Sequence, residues 1–359
     1  MTDLLSLPLP ELARWMAQET GEPGFRAKQL YQWLHQKQVT SFDAMTNLPA
    51  ALRQKLGKLG KIAQVETELL LESKLDETRK FLFRLEDGNC VETVWMEYHH
   101  GPSLCISTQV GCRMGCRFCA STLDGLERNL TPGEMLGEIY EAQRQMGRRI
   151  SSLVLMGIGE PLDNLPNVLT FLGILSSAEG QRLGLRHVSL STCGLVDGIR
   201  ALMKENLGLT LSVSLHAAND ETRSGIMPVN RRYPIGELME ACREYFRVTG
   251  RRISYEYALI DGVNDSEAKA RELAALLRGQ NCHVNLIPVN PVKERETKRS
   301  SRAAVERFVR QLGELGINAT VRRELGTDIS AACGQLRRTG QGKVSAGAGL
   351  EAGTRTSTV

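Results

Sequence analysis

Apolar and polar positions change rhythm along this chain. From residue 1 to 61 the apolar residues recur at helical spacing. Leu12, Trp15 and Met16 share one side of a segment that Pro10 opens and that Gly21 and Pro23 close. Phe25, Leu30, Trp33 and Leu34 predict the next helix, and Ser41, Asn47 and Pro49 suit the starts of two shorter ones. From 62 to 102 the period falls to two. Val65–Leu69, Phe81–Leu85 and Val91–Trp95 predict three strands of a short linking sheet, and Asp87-Gly88-Asn89 turns between the second and third.

From 103 to 338 strand-like and helix-like stretches alternate. The strands are Leu104–Ser107, Ser152–Met156, His187–Leu190, Thr210–Val213, Ile253–Tyr257, His283–Ile287 and Ala319–Val321. Amphipathic stretches such as Pro132–Met146, Ile235–Val248 and Ser266–Leu277 lie between them. This alternation predicts parallel strands joined by crossover helices. Six or seven such units are too few for a closed eight-unit barrel, so the expected class is α/β with a partial (β/α)6-type barrel. Residues 339–359 are Gly, Ala, Ser and Thr with few apolar positions, which predicts a disordered tail.

Composition sets bounds on this picture. Hydrophobic content of 42% and charged content of 24% over 359 residues are ordinary for a globular protein. The start, Met1-Thr2-Asp3-Leu4-Leu5, has no basic segment followed by an apolar core, and no apolar run is long enough for a membrane span. Nine cysteines without regular spacing argue against a disulfide scaffold, so the expected location is the reducing cytoplasm, with no membrane partner. A net charge of +4 does not by itself indicate nucleic acid. The modest basic surplus in residues 1–61 makes that module a candidate RNA-contacting one, although such a surplus also suits a solvated face.

Chemistry concentrates in Gly111-Cys112-Arg113-Met114-Gly115-Cys116-Arg117-Phe118-Cys119. Three thiolates this close repel unless a cation lies between them, and thiolates select zinc, Cu(I) or iron–sulfur centres. A structural zinc site needs four ligands. No fourth Cys or His follows within a dozen residues, so zinc would need a remote ligand. A cubane capped by three cysteines leaves one iron open to bind a substrate. Buried structural cysteines are the remaining alternative.

Cys112, Cys116 and Cys119, with Phe118 before the last, resemble the signature of radical S-adenosylmethionine (SAM) enzymes. In that family the open iron of a 4Fe–4S cluster chelates the methionine part of SAM, and the cluster's electron splits the sulfonium to a carbon radical. The barrel expected above is the fold this resemblance implies. Barrels gather reactive groups where strands end. Gly159 and Glu160 lie after the second barrel strand, Ser191 at the end of the third, Ser214-Leu215-His216 at the end of the fourth, and Asn290 after the sixth. Singly, each reads as a cap or turn residue, and a lone His is most often structural.

Nearly the whole chain, from about residue 4 to 338, resembles the bacterial RNA methyltransferases that act on carbon 2 of adenosine and their carbon-8 methylating relatives. The likeness rests on the cysteine loop, Phe25-Arg26-Ala27-Lys28-Gln29, Gly157-Ile158-Gly159-Glu160-Pro161-Leu162, Ser214-Leu215-His216-Ala217 and Ala331-Ala332-Cys333-Gly334-Gln335-Leu336. It implies that Gly159, Glu160, Ser191, Ser214, Leu215, His216 and Asn290 bind SAM. It also implies that Cys333 is methylated and then bridges to adenine, using two SAM molecules per turnover. Cys105 would release the product by forming a transient disulfide with Cys333, and Glu92 would accept the carbon-2 proton. On residue type alone, Cys105 in a strand reads as packing and Glu92 as a solvent-facing strand residue.

The implied partners are 23S ribosomal RNA at the peptidyl-transferase centre, tRNA at the adenosine 3′ of the anticodon, and an electron donor such as flavodoxin or ferredoxin, with the chain acting as a monomer. Arg231-Arg232, Arg251-Arg252, Arg322-Arg323 and the run Lys293–Arg302 are candidate phosphate contacts. The competing readings are a carbon-8 methyltransferase that confers antibiotic resistance and a non-enzymatic iron–sulfur or zinc RNA-binding protein.

Overall fold

A computed structural model of the protein describes residues 1–337. The tail expected over 339–359, and residue 338 assigned to the barrel, lie outside the described residues. The chain opens with β1 (Thr2–Asp3), α1 (Leu9–Thr20), α2 (Gly24–His35), α3 (Ala50–Leu59) and β2 (Gly60–Lys61), with β1 and β2 paired in parallel. Helix α1 carries Pro10 in its first turn and ends at Gly21, whose φ of 74° suits a glycine. Helix α2 buries Ala27, Leu30, Tyr31, Leu34 and His35. The expected stripe is wrong at its first member: Phe25 sits in the opening turn, 58% exposed. Ser41 caps only a 3-10 turn, and Asn47 is no cap, because its side chain accepts from Trp33 Nε1.

Next come β3 (Val65–Glu72), β4 (Arg79–Leu85), β5 (Cys90–Tyr98), β6 (Gly101–Cys105), β7 (Gln109–Gly111) and β8 (Leu126–Asn129). The repeating part continues with α4 (Pro132–Met146), β9 (Ser152–Leu155), α5 (Leu165–Ser176), β10 (Val188–Thr192), α6 (Val196–Lys204) and β11 (Thr210–Ser214). It closes with α7 (Asp220–Ile226), α8 (Ile235–Thr249), β12 (Ile253–Leu259), α9 (Glu267–Leu277), β13 (Cys282–Pro288), α10 (Arg302–Glu314) and β14 (Ala319–Val321). Thr131 and Glu134 form a reciprocal capping box at the start of α4.

One sheet of ten strands runs in the order β14-β13-β12-β11-β10-β9-β6-β5-β4-β3. The strands from β14 to β6 are parallel, which gives the open barrel. The linking strands are not a separate sheet. Strand β5 pairs antiparallel with β6, with Val94 opposite Cys105, and β4 and β3 extend the same edge. Inward residues such as Leu190, Leu211, Val213 and Leu286 are fully buried, each worth roughly 1.5–3 kcal/mol of apolar burial.

After β14 the chain turns back as a strap, residues 325–337. Leu325, Ala331 and Leu336 pack on Val94, Met96 and Cys105. Polar bonds fix the strap along its length. Gly326 N–H donates to Asp76, and Asp328 accepts from Ser73 Oγ and Lys74 N, each at 2.7 Å. Ala120 N–H donates to the Gly334 carbonyl at 2.7 Å, and Ser121 Oγ to that of Leu336 at 2.8 Å. The strap therefore lies between the edge strands and the cysteine loop.

Candidate active site

The parallel strands deliver their C-terminal ends to one cavity of about 960 Å³, counted to its open mouth. Cys112, Cys116 and Cys119 form one wall. Gly157, Gly159, Glu160, Ser191, Ser214, His216, Asn290 and Cys333 face it from the strand ends and the strap. A smaller cavity of about 580 Å³ adjoins it, and there Cys105 and Cys333 share a wall with Tyr98, Met156 and Arg322.

The cysteine loop is fixed by its backbone. Cys112 N–H donates to Gly125 O at 2.8 Å, and Thr122 Oγ1 donates to the carbonyls of Cys116 and Cys119 at 3.1 and 3.0 Å. At Gly111, φ is 77° and an added Cβ would meet Gly125 O, so glycine is required there. Burial pushes the Cys112 thiol up to about 12, and raises those of Cys116 and Cys119. Such thiols ionise only beside a cation. Among the described residues no three His, Cys, Asp or Glu side chains converge on a single metal ion. A cubane instead takes each sulfur at a separate iron. The donor set and its thiol chemistry fit that group.

Glu160 is buried, and burial raises its carboxyl above the ordinary range. Its carboxylate accepts from Cys193 N–H at 2.7 Å and Leu162 N–H at 3.1 Å. Gln109 holds it from behind, accepting from Glu160 N–H at 2.8 Å and donating to Asp163 at 2.9 Å. A Cβ on Gly157 or Gly159 would strike Ile106 O or Gln109, so glycine at both positions lets this loop pack closely on residues 106–109. This is a carboxylate poised at a cavity wall, suited to an ammonium group.

His216 has a φ of 55° and its ring meets Phe118 edge-on, with centroids 4.9 Å apart. Its Nδ1 accepts from Ala258 N–H at 2.9 Å, and burial, then Arg223, lowers its pKa to about 3. The ring is thus neutral, with its proton on Nε2. Leu215 is brought elsewhere: its side chain is fully buried in the core, not in the cavity wall. Asn290 donates to the Cys333 carbonyl at 3.1 Å, which ties the sixth barrel strand to the strap.

Glu92 is buried rather than solvent-facing, and lies on the strap side of β5 with Val94. Burial, and then neighbouring Cys333, push the Cys105 thiol up to about 12. Arg322 faces both cavities rather than solvent phosphate, and Cys333 beside it strengthens its hold on its proton. Arg295, in the supposed phosphate-tracking run, turns inward to Thr122 Oγ1 at 2.8 Å and Cys119 O at 3.3 Å. Arg251 is bonded to the Gly208 carbonyl.

Sequence reasoning missed Arg223, Gln109, Glu256 and the inward role of Arg322. Arg223 is fully buried and donates to the carbonyls of Cys193, Ser214 and Leu215 at 2.7, 3.1 and 3.1 Å, stapling the ends of β10 and β11. Glu256, in the cavity wall on β12, accepts from Asn285 at 2.7 Å. No local spacing marks these residues, because their partners lie on other strands.

A three-thiol loop at the mouth of a partial barrel, with a buried carboxylate opposite, defines the radical SAM class, and the sequence model of the Radical SAM superfamily matches residues 106–274. The model of the ribosomal RNA large subunit methyltransferase N-terminal domain matches residues 2–62. The chain is 54% identical, over 94% of each chain, to a probable dual-specificity RNA methyltransferase RlmN of Lachnoclostridium phytofermentans. It is 52% identical to that of Lachnospira eligens, over 94% of this chain and 96% of the relative. A crystal structure of a radical SAM methyltransferase from Sphaerobacter thermophilus superposes with a TM-score of 0.90 at 46% identity, covering 94% of this chain and 99% of that one. The chain belongs to the RlmN family. Membership of the superfamily implies a 4Fe–4S cluster and SAM, and among the described residues no helix is long and apolar enough to cross a membrane.

Proposed function

We propose that the protein methylates carbon 2 of adenosine in 23S ribosomal RNA and in tRNA, as a radical SAM enzyme that carries the methyl group on Cys333. The observation that supports this most is that Cys333 lines both cavities, one shared with the three-cysteine loop and the other with Cys105. When bound, the cluster and SAM, two per turnover, supply the methyl group, a hydrogen-abstracting carbon radical and the return path for one electron. Cys112, Cys116 and Cys119 hold the cluster. Glu160, with Gly159, Ser191, Ser214, His216 and Asn290, holds SAM. Leu215 contributes through its backbone. Cys333 accepts the methyl group and presents its carbon to the base. Glu92 takes the carbon-2 proton. Cys105, as a thiolate, then attacks the Cys333 sulfur: the S–S bond forms as the bond from that sulfur to the methylene carbon breaks. The pair of that bond stays with the carbon, which takes up a proton, and the methylated base leaves.

The target adenosine must leave its stack to reach this depth, so the substrate is RNA with a flippable base. The electron comes from a small carrier such as flavodoxin or ferredoxin. Two measurements test the reading together. Peptide mass analysis should find one added methyl on Cys333. Nucleoside analysis of RNA treated with reconstituted enzyme should find 2-methyladenosine. An unmodified Cys333, or 8-methyladenosine alone, overturns it.

A further inference from the structure

Lys80 is an unusual residue for its place. It lies on β4 with its side chain only 9% exposed, and lysine rarely enters an interior without a partner. In the antiparallel register Leu82 faces Glu92 and Lys80 faces Val94, so Lys80 and Glu92 are diagonal neighbours on one face. The Lys80 ammonium lies 3.1 Å from Glu92 Oε1. It also donates to the carbonyl of Ser330 at 3.2 Å. The other carboxylate oxygen, Glu92 Oε2, accepts from Arg337 N–H at 2.7 Å. Both oxygens are thereby aimed by groups on either side of Cys333, one through Ser330 and one through Arg337. Ser330 itself has a φ of 52°, a costly conformation that a bond to its carbonyl helps to hold.

We propose that Lys80 is the positioning residue for proton removal: it orients Glu92 and couples that carboxylate to the strap carrying Cys333. This rests on the proposed function above. In the step concerned, the hydrogen on carbon 2 of the tethered adenine leaves as a proton to a Glu92 oxygen, and its bonding pair stays with the ring. A cation against one oxygen keeps the carboxylate pointed before transfer. Without it, Glu92 keeps only the Arg337 N–H on Oε2 and its Oε1 loses the tie that fixes its aim, while the cysteine loop and the SAM-binding strand ends are untouched.

The test uses full-length, cluster-reconstituted Lys80→Met, Lys80→Arg, Glu92→Gln and the Lys80→Met/Glu92→Gln double variant, with Cys105→Ala as an adduct-forming reference. Covalent RNA–protein adduct, Cys333 methylation and 5′-deoxyadenosine are measured in the same reaction. Lys80→Met should slow product release about 10²-fold, the usual scale for a lost proton acceptor, and should accumulate adduct. Within a single turnover, methylation and 5′-deoxyadenosine formation should stay within about twofold of wild type. Lys80→Arg should restore release, and the double variant should be no slower than Glu92→Gln. The double variant also removes the unpaired buried charge, so it reports even if Lys80→Met folds poorly. Release at the wild-type rate in Lys80→Met overturns the proposal. So does a parallel loss of all three signals, or an additive double variant. If wild-type protein makes no 2-methyladenosine and Cys105→Ala makes no adduct, the proposed function fails and takes this inference with it.

Discussion

At the scale of single residues, burial sorts similar side chains into different work. Burial pushes Cys105 up to about 12, so as a free thiol it is a poor nucleophile and waits for a neighbour to activate it. Arg322 stands beside Cys105 and Cys333, the two cysteines of the proposed disulfide, and supplies that field. Replacing Cys105 with Ala should leave methyl-Cys333 chemistry intact and trap RNA on the protein; a denaturing gel without a slow protein–RNA band would refute the tether. Arg223 acts differently, as a staple. Changing it to Met leaves the carbonyls of Cys193, Ser214 and Leu215 without their donor, which should cost about 3 kcal/mol or more in denaturant unfolding and weaken SAM binding. An unchanged midpoint and SAM affinity would sink that role. The cysteine loop was legible because three cysteines crowd into eight residues. Arg223 was not, because its acceptors lie on β10 and β11. Arg322-Arg323 looked like a surface pair, yet the turn after β14 sends the first inward.

At the scale of elements, the alternating pattern located the barrel strands to within a few residues, and Ala319–Val321 without error. It missed the true start of β6, because Gly101 and Pro102 are poor strand formers and only pairing with β5 makes them extended. The same pairing explains why the linking strands merge with the barrel sheet. Helix α4 shows what lies beneath that junction. Glu138 is fully buried, accepts from Thr93 Oγ1 and from Ser107 N–H at 3.1 Å, and leaves Oε1 unpartnered. Burial pushes its carboxyl from 4.5 up to about 8. Between those values the folded chain holds a proton that the unfolded chain has lost. Its stabilising contribution is therefore full below about 4.5 and declines as pH rises towards about 8. Glu138→Gln should remove this slope, with the unfolding free energy from urea titrations becoming flatter between pH 5 and 8; an unchanged slope would show that Glu138 is ionised. The strap is the second such element. Asp328→Ala cuts its ties to Ser73 and Lys74, so residues 326–337 should be cleaved faster by a dilute protease while the barrel resists; equal rates would show that apolar packing alone holds it.

At the scale of the whole molecule, sequence texture suggested a helical module, a linking sheet and a barrel, and the packing unites them. One hydrophobic core runs from Leu4 and Leu12 through Trp95 and Leu104 to Ile317. His35 of α2 reaches Tyr140 of α4 at 2.9 Å, and Gln181 donates back to the carbonyl of His35. Texture cannot reveal this, because each module's apolar face looks the same whether it closes on itself or on a neighbour. A shared core makes the parts melt together. The cysteine loop, in turn, is held by hydrogen bonds to Gly125, Thr122 and Gly334 that need no iron. Small metal domains unfold when stripped, because metal ligation supplies their folding energy. Here the core supplies it. Removing iron with a chelator should therefore abolish the visible absorption and SAM cleavage but leave the far-ultraviolet dichroism unchanged, with one calorimetric transition lowered by a few degrees. Two separated transitions would show that residues 1–61 fold as a unit of their own, and collapse of the dichroism would show that the centre, not the sheet, holds the barrel mouth together.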